Sequence, residues 1–119
     1  MQFFVAIYRP LDYKPEAAED SLMRAEIDAL NDEMVAAGVR EFVGGLHPVH
    51  QAQSVEVRED GSLGRGVGPI SSAGMAIGGF WVLQVADESE ALCWAEKASR
   101  ACRAPVEVRR FHGPADGAG

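Results

Sequence analysis

The chain has 119 residues, the length of one ordinary domain, and its 47% hydrophobic and 24% charged residues make it globular rather than disordered. Its formal net charge of -7 opposes binding to phosphate backbones or anionic membrane surfaces. Either would need a basic stripe, and Arg109-Arg110 is too short to form one. No run of about 18 apolar residues occurs, so no membrane-spanning helix is expected.

Residues 2–8 (QFFVAIY) read as a strand closed by Arg9-Pro10. The start has neither a basic n-region nor a small-residue cleavage site. It therefore reads as a first strand rather than a signal peptide, with the cytoplasm as the default location. Phe3, Val5 and Ile7 share one face; Phe4, Ala6 and Tyr8 share the other, so both faces are apolar. After a proline-bearing loop, the spacing of Met23, Ile27, Leu30 and Met34 predicts a helix over 16–37. Glu16, Glu19 and Asp20 fall in its first turns and Gly38 stands where it would stop. A second strand is expected at about 41–46.

Residues 53–58 alternate and turn through Glu59-Asp60-Gly61 into a return strand at 62–66, which predicts a hairpin. Residues 64–79 hold six glycines and read as the longest flexible segment. Residues 79–85 (GFWVLQV) are again apolar on both faces. Asp87 with Glu90 reads as a capping pattern opening a helix that buries Ala91, Trp94, Ala95, Ala98 and Cys102. Pro105 ends it, residues 106–111 form a last strand, and 112–119 read as a disordered tail. On such a helix Cys93 and Cys102 lie about 13.5 Å apart along the axis, beyond disulfide reach.

The order β-α-β-β-β-α-β predicts an α+β fold, a ferredoxin-like split βαβ with an added hairpin, over residues 1–111. Two helices cover only one side of a four-stranded sheet, yet two strands are apolar on both sides. A second copy related by a two-fold axis is the expected cover, making a homodimer. The alternative is that the glycine-rich loop folds across the open face.

The strand FFVAIY, the AAGV that ends the first helix, GGL at 44–46, the hairpin SVEVREDG, Gly68-Pro69, GGFWVLQV, DESEALCWAEKA and VEVRRF together resemble the YCII-related, or DGPF-domain, family. The resemblance covers about residues 1–111, in motifs that are individually weak but specific in order and spacing. It implies a ferredoxin-like subunit in a dimeric α+β barrel. Against the family's usual pattern, Val67 replaces the acidic residue before Gly-Pro and Ser72 the usual glutamate. Gly74, Met75 and Ala76 stand where charged residues are common. Where that glycine-rich loop lines the pocket, the pocket is expected to lack these carboxylates and to be more apolar. The histidine and aspartate of related YCII enzymes align with no residue here, so no catalytic pair carries over.

Among candidate chemical groups, His47 and His50 (HPVH) follow the second strand. A neutral imidazole beside an apolar pocket can act as general acid or base near neutral pH. The competing reading is a pair of solvated loop histidines. A metal site joining them to His112 is not expected, because the HExxH glutamate is missing and Pro48 opposes a helix. Tyr8 and Trp81 are candidate walls of a ligand cavity, or else core packing. Ser71 and Ser72 are candidate hydrogen-bond donors to a ligand, or else turn residues. No cofactor is expected.

The sequence does not fix the reaction. The resemblance, together with the lost carboxylates, implies a small enzyme such as a cofactor-free isomerase, cyclase or lyase acting on an apolar or aromatic small molecule, with His47 as the proton shuttle. The alternative is a non-catalytic binding or accessory protein that has lost the family's acids.

Overall fold

The structure, a computed structural model, describes residues 1–71 and 73–113. In chain order the elements are β1 (Gln2–Pro10), α1 (Pro15–Ala18), α2 (Ser21–Ala36), β2 (Arg40–Gly45), a 3-10 turn (Val49–Gln51), β3 (Gln53–Val57), β4 (Leu63–Val67), β5 (Met75–Gln84), α3 (Glu88–Cys102) and β6 (Val106–Arg110). They form a mixed α+β fold. A four-stranded antiparallel sheet has the order β2-β5-β1-β6, and β3-β4 form a separate hairpin.

The single helix expected over 16–37 is two. Glu19 and Asp20 are extended, and the Asp20 carboxylate accepts from the Met23 amide at 2.8 Å, which starts α2 anew. That amide holds the Asp20 carboxyl below its ordinary range, with the Arg103 charge adding to the effect. At the other end Gly38 takes φ +71°. Its amide reaches Val35 and that of Val39 reaches Met34, closing a Schellman motif. α3 opens as its sequence suggests: Asp87 accepts from the Glu90 amide at 2.9 Å and Glu90 accepts from the Ala86 amide at 3.2 Å.

The core lies between the sheet and the two long helices. Phe3, Val5, Ile7, Trp81 and Leu83 meet Leu30 and Met34 of α2 and a small-residue face of α3. That face is Ala91, Ala95, Ala98, Ala101 and Cys102, with Trp94 only partly buried. Small side chains let α3 approach the sheet closely, and an ion pair between Lys97 and Glu33 ties it to α2.

Among the described residues the opposite face carries no helix. There Phe42, Phe80, Phe4 and Phe111 run across the sheet with ring centroids 5.6, 5.1 and 6.1 Å apart in turn. Phe42 is 53% and Phe111 41% exposed. The segment expected either to be flexible or to fold over this face does neither throughout, for it supplies β4 and the first residues of β5. Val67 and Ile70 remain 82% and 91% exposed. β5 starts at Met75 rather than at 79 because Met75 and Ala76 pair with Pro10 and Arg9.

The β3-β4 hairpin keeps Val55, Val57 and Leu63 on one side, all more than half exposed. It contributes to an outline of 49 × 44 × 18 Å, thin enough for one sheet and one helix layer. The radius of gyration is 16.4 Å, against about 13.5 Å for a compact chain of this length. Of the expected tail, His112 and Gly113 belong to no helix or strand and 114–119 lie outside the described residues. No helix among the described residues is long and apolar enough to cross a membrane.

These roles differ in energetic weight. In urea titrations Asp20→Ala, which removes one cap bond, should lower the unfolding free energy by about 1 kcal/mol, and Leu83→Ala by about 2–5 kcal/mol. A cap variant as costly as the core variant would mean that Asp20 does more than start a helix.

Candidate functional site

A cavity of about 330 Å³ opens at one end of the sheet, on the helix-bearing face. Its floor comes from β1, β5 and the end of β2. Its roof comes from Ile27 and Asn31 in the middle of α2 and from Tyr13, Pro15 and Glu19 before it. Ile7, Ile27, Val43 and Trp81 give it apolar walls, and its size is at the small end of the range for metabolite sites.

Its geometry follows from one irregularity. Ile7 pairs with Gly79 but Tyr8 pairs with Ile77, so Gly78 is an extra residue in β5. Arg9 continues the face of Phe3, Val5 and Ile7, and its stem lies over Gly78. A Cβ on that glycine would come within 2.7 Å of the Arg9 Cγ. The guanidinium then stacks on the Tyr13 ring, 4.4 Å from its centroid, and donates to the Cys102 carbonyl at 2.6 Å. The Tyr13 hydroxyl donates to Glu19 at 2.8 Å. Burial, and next this hydrogen bond, push the Tyr13 phenol up to about 12, with the Arg9 charge opposing them.

Trp81 is fixed by its own polar end. Its Nε1 donates to Asn31 Oδ1 at 2.9 Å, Arg40 donates to the same oxygen at 3.2 Å, and Asn31 Nδ2 donates to the Ile27 carbonyl at 3.1 Å. Asn31 thereby has both ends engaged, and Trp81 serves the cavity as a wall.

Of the residues predicted from sequence, His47 and Trp81 line this cavity together. His47 follows β2, is exposed, and stands beside Pro48 and Val49 in the cavity wall. Tyr8 lies on the other face of the sheet, where its hydroxyl donates to Glu107 at 3.2 Å. Burial, then the Glu107 charge and hydrogen bond, raise its phenol above the ordinary value. His50 and Ser71 are exposed and do not line the cavity. Ser71 instead accepts from the Ala73 amide at 3.2 Å, as a turn residue does. Ser72 lies outside the described residues. Among the described residues no three His, Cys, Asp or Glu side chains are grouped to hold a metal ion.

The loop whose substitutions are expected to remove acids from the pocket reaches the cavity at Ala76 but not at Val67. Val67 is 82% exposed and does not line the cavity, and the cavity does hold a carboxylate, Glu19. Arg9, Tyr13, Glu19 and Asn31 were not predicted as site residues. The available signal was parity: Arg9 prolongs an apolar strand face, and Asn31 stands four residues after Ile27 inside the apolar stripe of α2.

The chain matches no protein-family model and no curated protein.

Both cysteines are free, Cys93 exposed and Cys102 buried. Burial pushes the Cys102 thiol up from 9.0 to about 11, with Arg9 opposing. The folded state thus favours the protonated thiol. Its contribution is complete below pH 9 and is lost as pH rises through 11. Over that window the wild type should lose about 2 kcal/mol more than Cys102→Ala in urea titrations. Parallel pH profiles would show that the buried thiol does not titrate as described.

Proposed function

We propose that this protein is a cofactor-free enzyme of the YCII-related type that binds a small, largely apolar metabolite in the cavity between β5 and α2. His47 moves the proton there. The observation that carries the reading is an apolar cavity with an imidazole in its wall. Shape and one base suit isomerisation, cyclisation or elimination, which need a proton moved and no external redox partner. One observation favours a second reading, a binding or accessory protein without catalysis. Among the described residues His47 makes no hydrogen bond that would fix its tautomer, whereas an efficient base is usually oriented by a partner.

The assembly belongs to the same proposal. The strand order β2-β5-β1-β6 with both long helices on one face supports a ferredoxin-like subunit. The row of phenylalanines on the bare face supports a dimeric α+β barrel, in which a second copy buries what this chain leaves open. The hairpin points the same way, since an isolated two-stranded ribbon with an exposed apolar side is marginal in water.

Two experiments test the proposal. Protein purified gently from its native host should carry a small apolar compound in native mass spectrometry and convert that compound on incubation. His47→Ala should lower turnover by about 100-fold or more while keeping the melting temperature. Full turnover in that variant removes His47 from the chemistry, and binding without conversion selects the second reading. In sedimentation velocity at micromolar concentration the 12.8 kDa chain should run as a dimer, and Phe42→Asp as a monomer. A monomeric wild type would falsify the barrel.

A further inference from the structure

Arg9 carries a charge that the proton transfer proposed for His47 does not use. The side chain is half-buried and lines the cavity. It is held at three points: the stem over Gly78, the guanidinium plane on Tyr13, and one N–H on the Cys102 carbonyl. None of these contacts is an anion. The ion pairs of the described residues join Lys97 to Glu33, Arg100 to Glu96, and Arg103 to Asp20 and Glu26. The carboxylate nearest in the cavity wall, Glu19, accepts instead from Tyr13. A cation drawn out of bulk water beside apolar walls is costly unless an anion joins it. A guanidinium also presents a planar fork that a carboxylate matches with two parallel hydrogen bonds.

We propose that the cavity takes a small apolar carboxylate. Its carboxylate oxygens bind the Arg9 guanidinium, and its hydrocarbon body lies against Ile7, Ile27, Val43 and Trp81. This rests on the reading of the cavity as a small-molecule site and adds the class of ligand. The charge inventory selects a monoanion over a phosphate. The wall offers one arginine, and Glu19 in the same wall would repel a second negative charge. Rigid placement adds to selectivity, because a fork already fixed by Tyr13, Gly78 and Cys102 loses little freedom when the ligand arrives.

The test uses the full chain, titrated at constant ionic strength with benzoate and phenylacetate and with the neutral amides benzamide and phenylacetamide, and followed by backbone amide NMR. The acids should shift residues 44–45 and 78–79 and bind about tenfold or more tighter than their amides. Arg9→Met should abolish that preference, and Arg9→Lys should recover part of it. Arg9→Met also loses the bond to the Cys102 carbonyl, so Gly78→Ala serves as a second variant. It keeps the charge but pushes the Arg9 stem aside, and should weaken acids selectively. Equal affinity for acids and amides in the wild type, or an undiminished preference in Arg9→Met, overturns the carboxylate assignment while the cavity remains a small-molecule site. If neither acids nor amides shift any cavity residue, both readings fall.

Discussion

The antiparallel pairing of β1 with β5, and the one-residue slip within it, governs what each face of the molecule carries. Up to Ile7 the two strands run in simple register and feed Phe3, Val5, Trp81 and Leu83 into the core. At Gly78 one residue of β5 has no partner, and the pleat resumes with Tyr8 opposite Ile77. That extra residue is a glycine, and the stem of Arg9 occupies the space its side chain would take. Had the register continued unshifted, Ile77 rather than Ala76 would stand opposite Arg9.

The rest of the cavity follows from elements that converge on that end. The break between α1 and α2 lets Glu19 turn back onto Tyr13, and the cap at Asp20 fixes where α2 begins. α2 in turn brings Ile27 and Asn31 over Trp81. On the far side of the sheet the same strands expose aromatic rings that gain from contact with one another yet stay partly in water. One face is thus finished by this chain and hollow at one end, and the other carries a row of aromatic rings beside the Tyr8–Glu107 pair.

Much of the fold was legible because it rests on local signals. The two-faced strands, the Asp87–Glu90 cap, Gly38 as a stop and the hairpin turn at Glu59-Asp60-Gly61 follow from side-chain periodicity and backbone preference. The cavity depends on non-local facts. Tyr8 and Trp81 look equivalent in sequence, both on strands apolar on both sides, and only the register between the strands puts them on opposite faces. Likewise, Arg9-Pro10 read as the close of a strand ending at Tyr8, yet β1 runs two residues further, to Pro10, because Arg9 and Pro10 pair with Ala76 and Met75. The glycines at 78 and 79 weaken any local case for a strand, and β5 forms there because β1 offers a partner edge.

The polar groups around the cavity divide into those already engaged and those left over. The Trp81 indole is spent on Asn31, Asn31 uses its oxygen and one of its two N–H groups, and the Tyr13 hydroxyl proton is spent on Glu19. Among the described side chains in the wall, apart from the weak thiol of Cys102, unspent N–H donors remain at Arg9, at His47 and on the second N–H of Asn31. A cavity whose other donors are internally satisfied resists filling with water at those points and shows an incoming molecule a short, defined set of partners. Specificity in such a site comes from leaving few groups unpaired, because a ligand that fails to meet them leaves a desolvated donor empty. The hydrogen bonds that hold Trp81, Asn31 and Tyr13 in place therefore also limit which functional groups the cavity can accept.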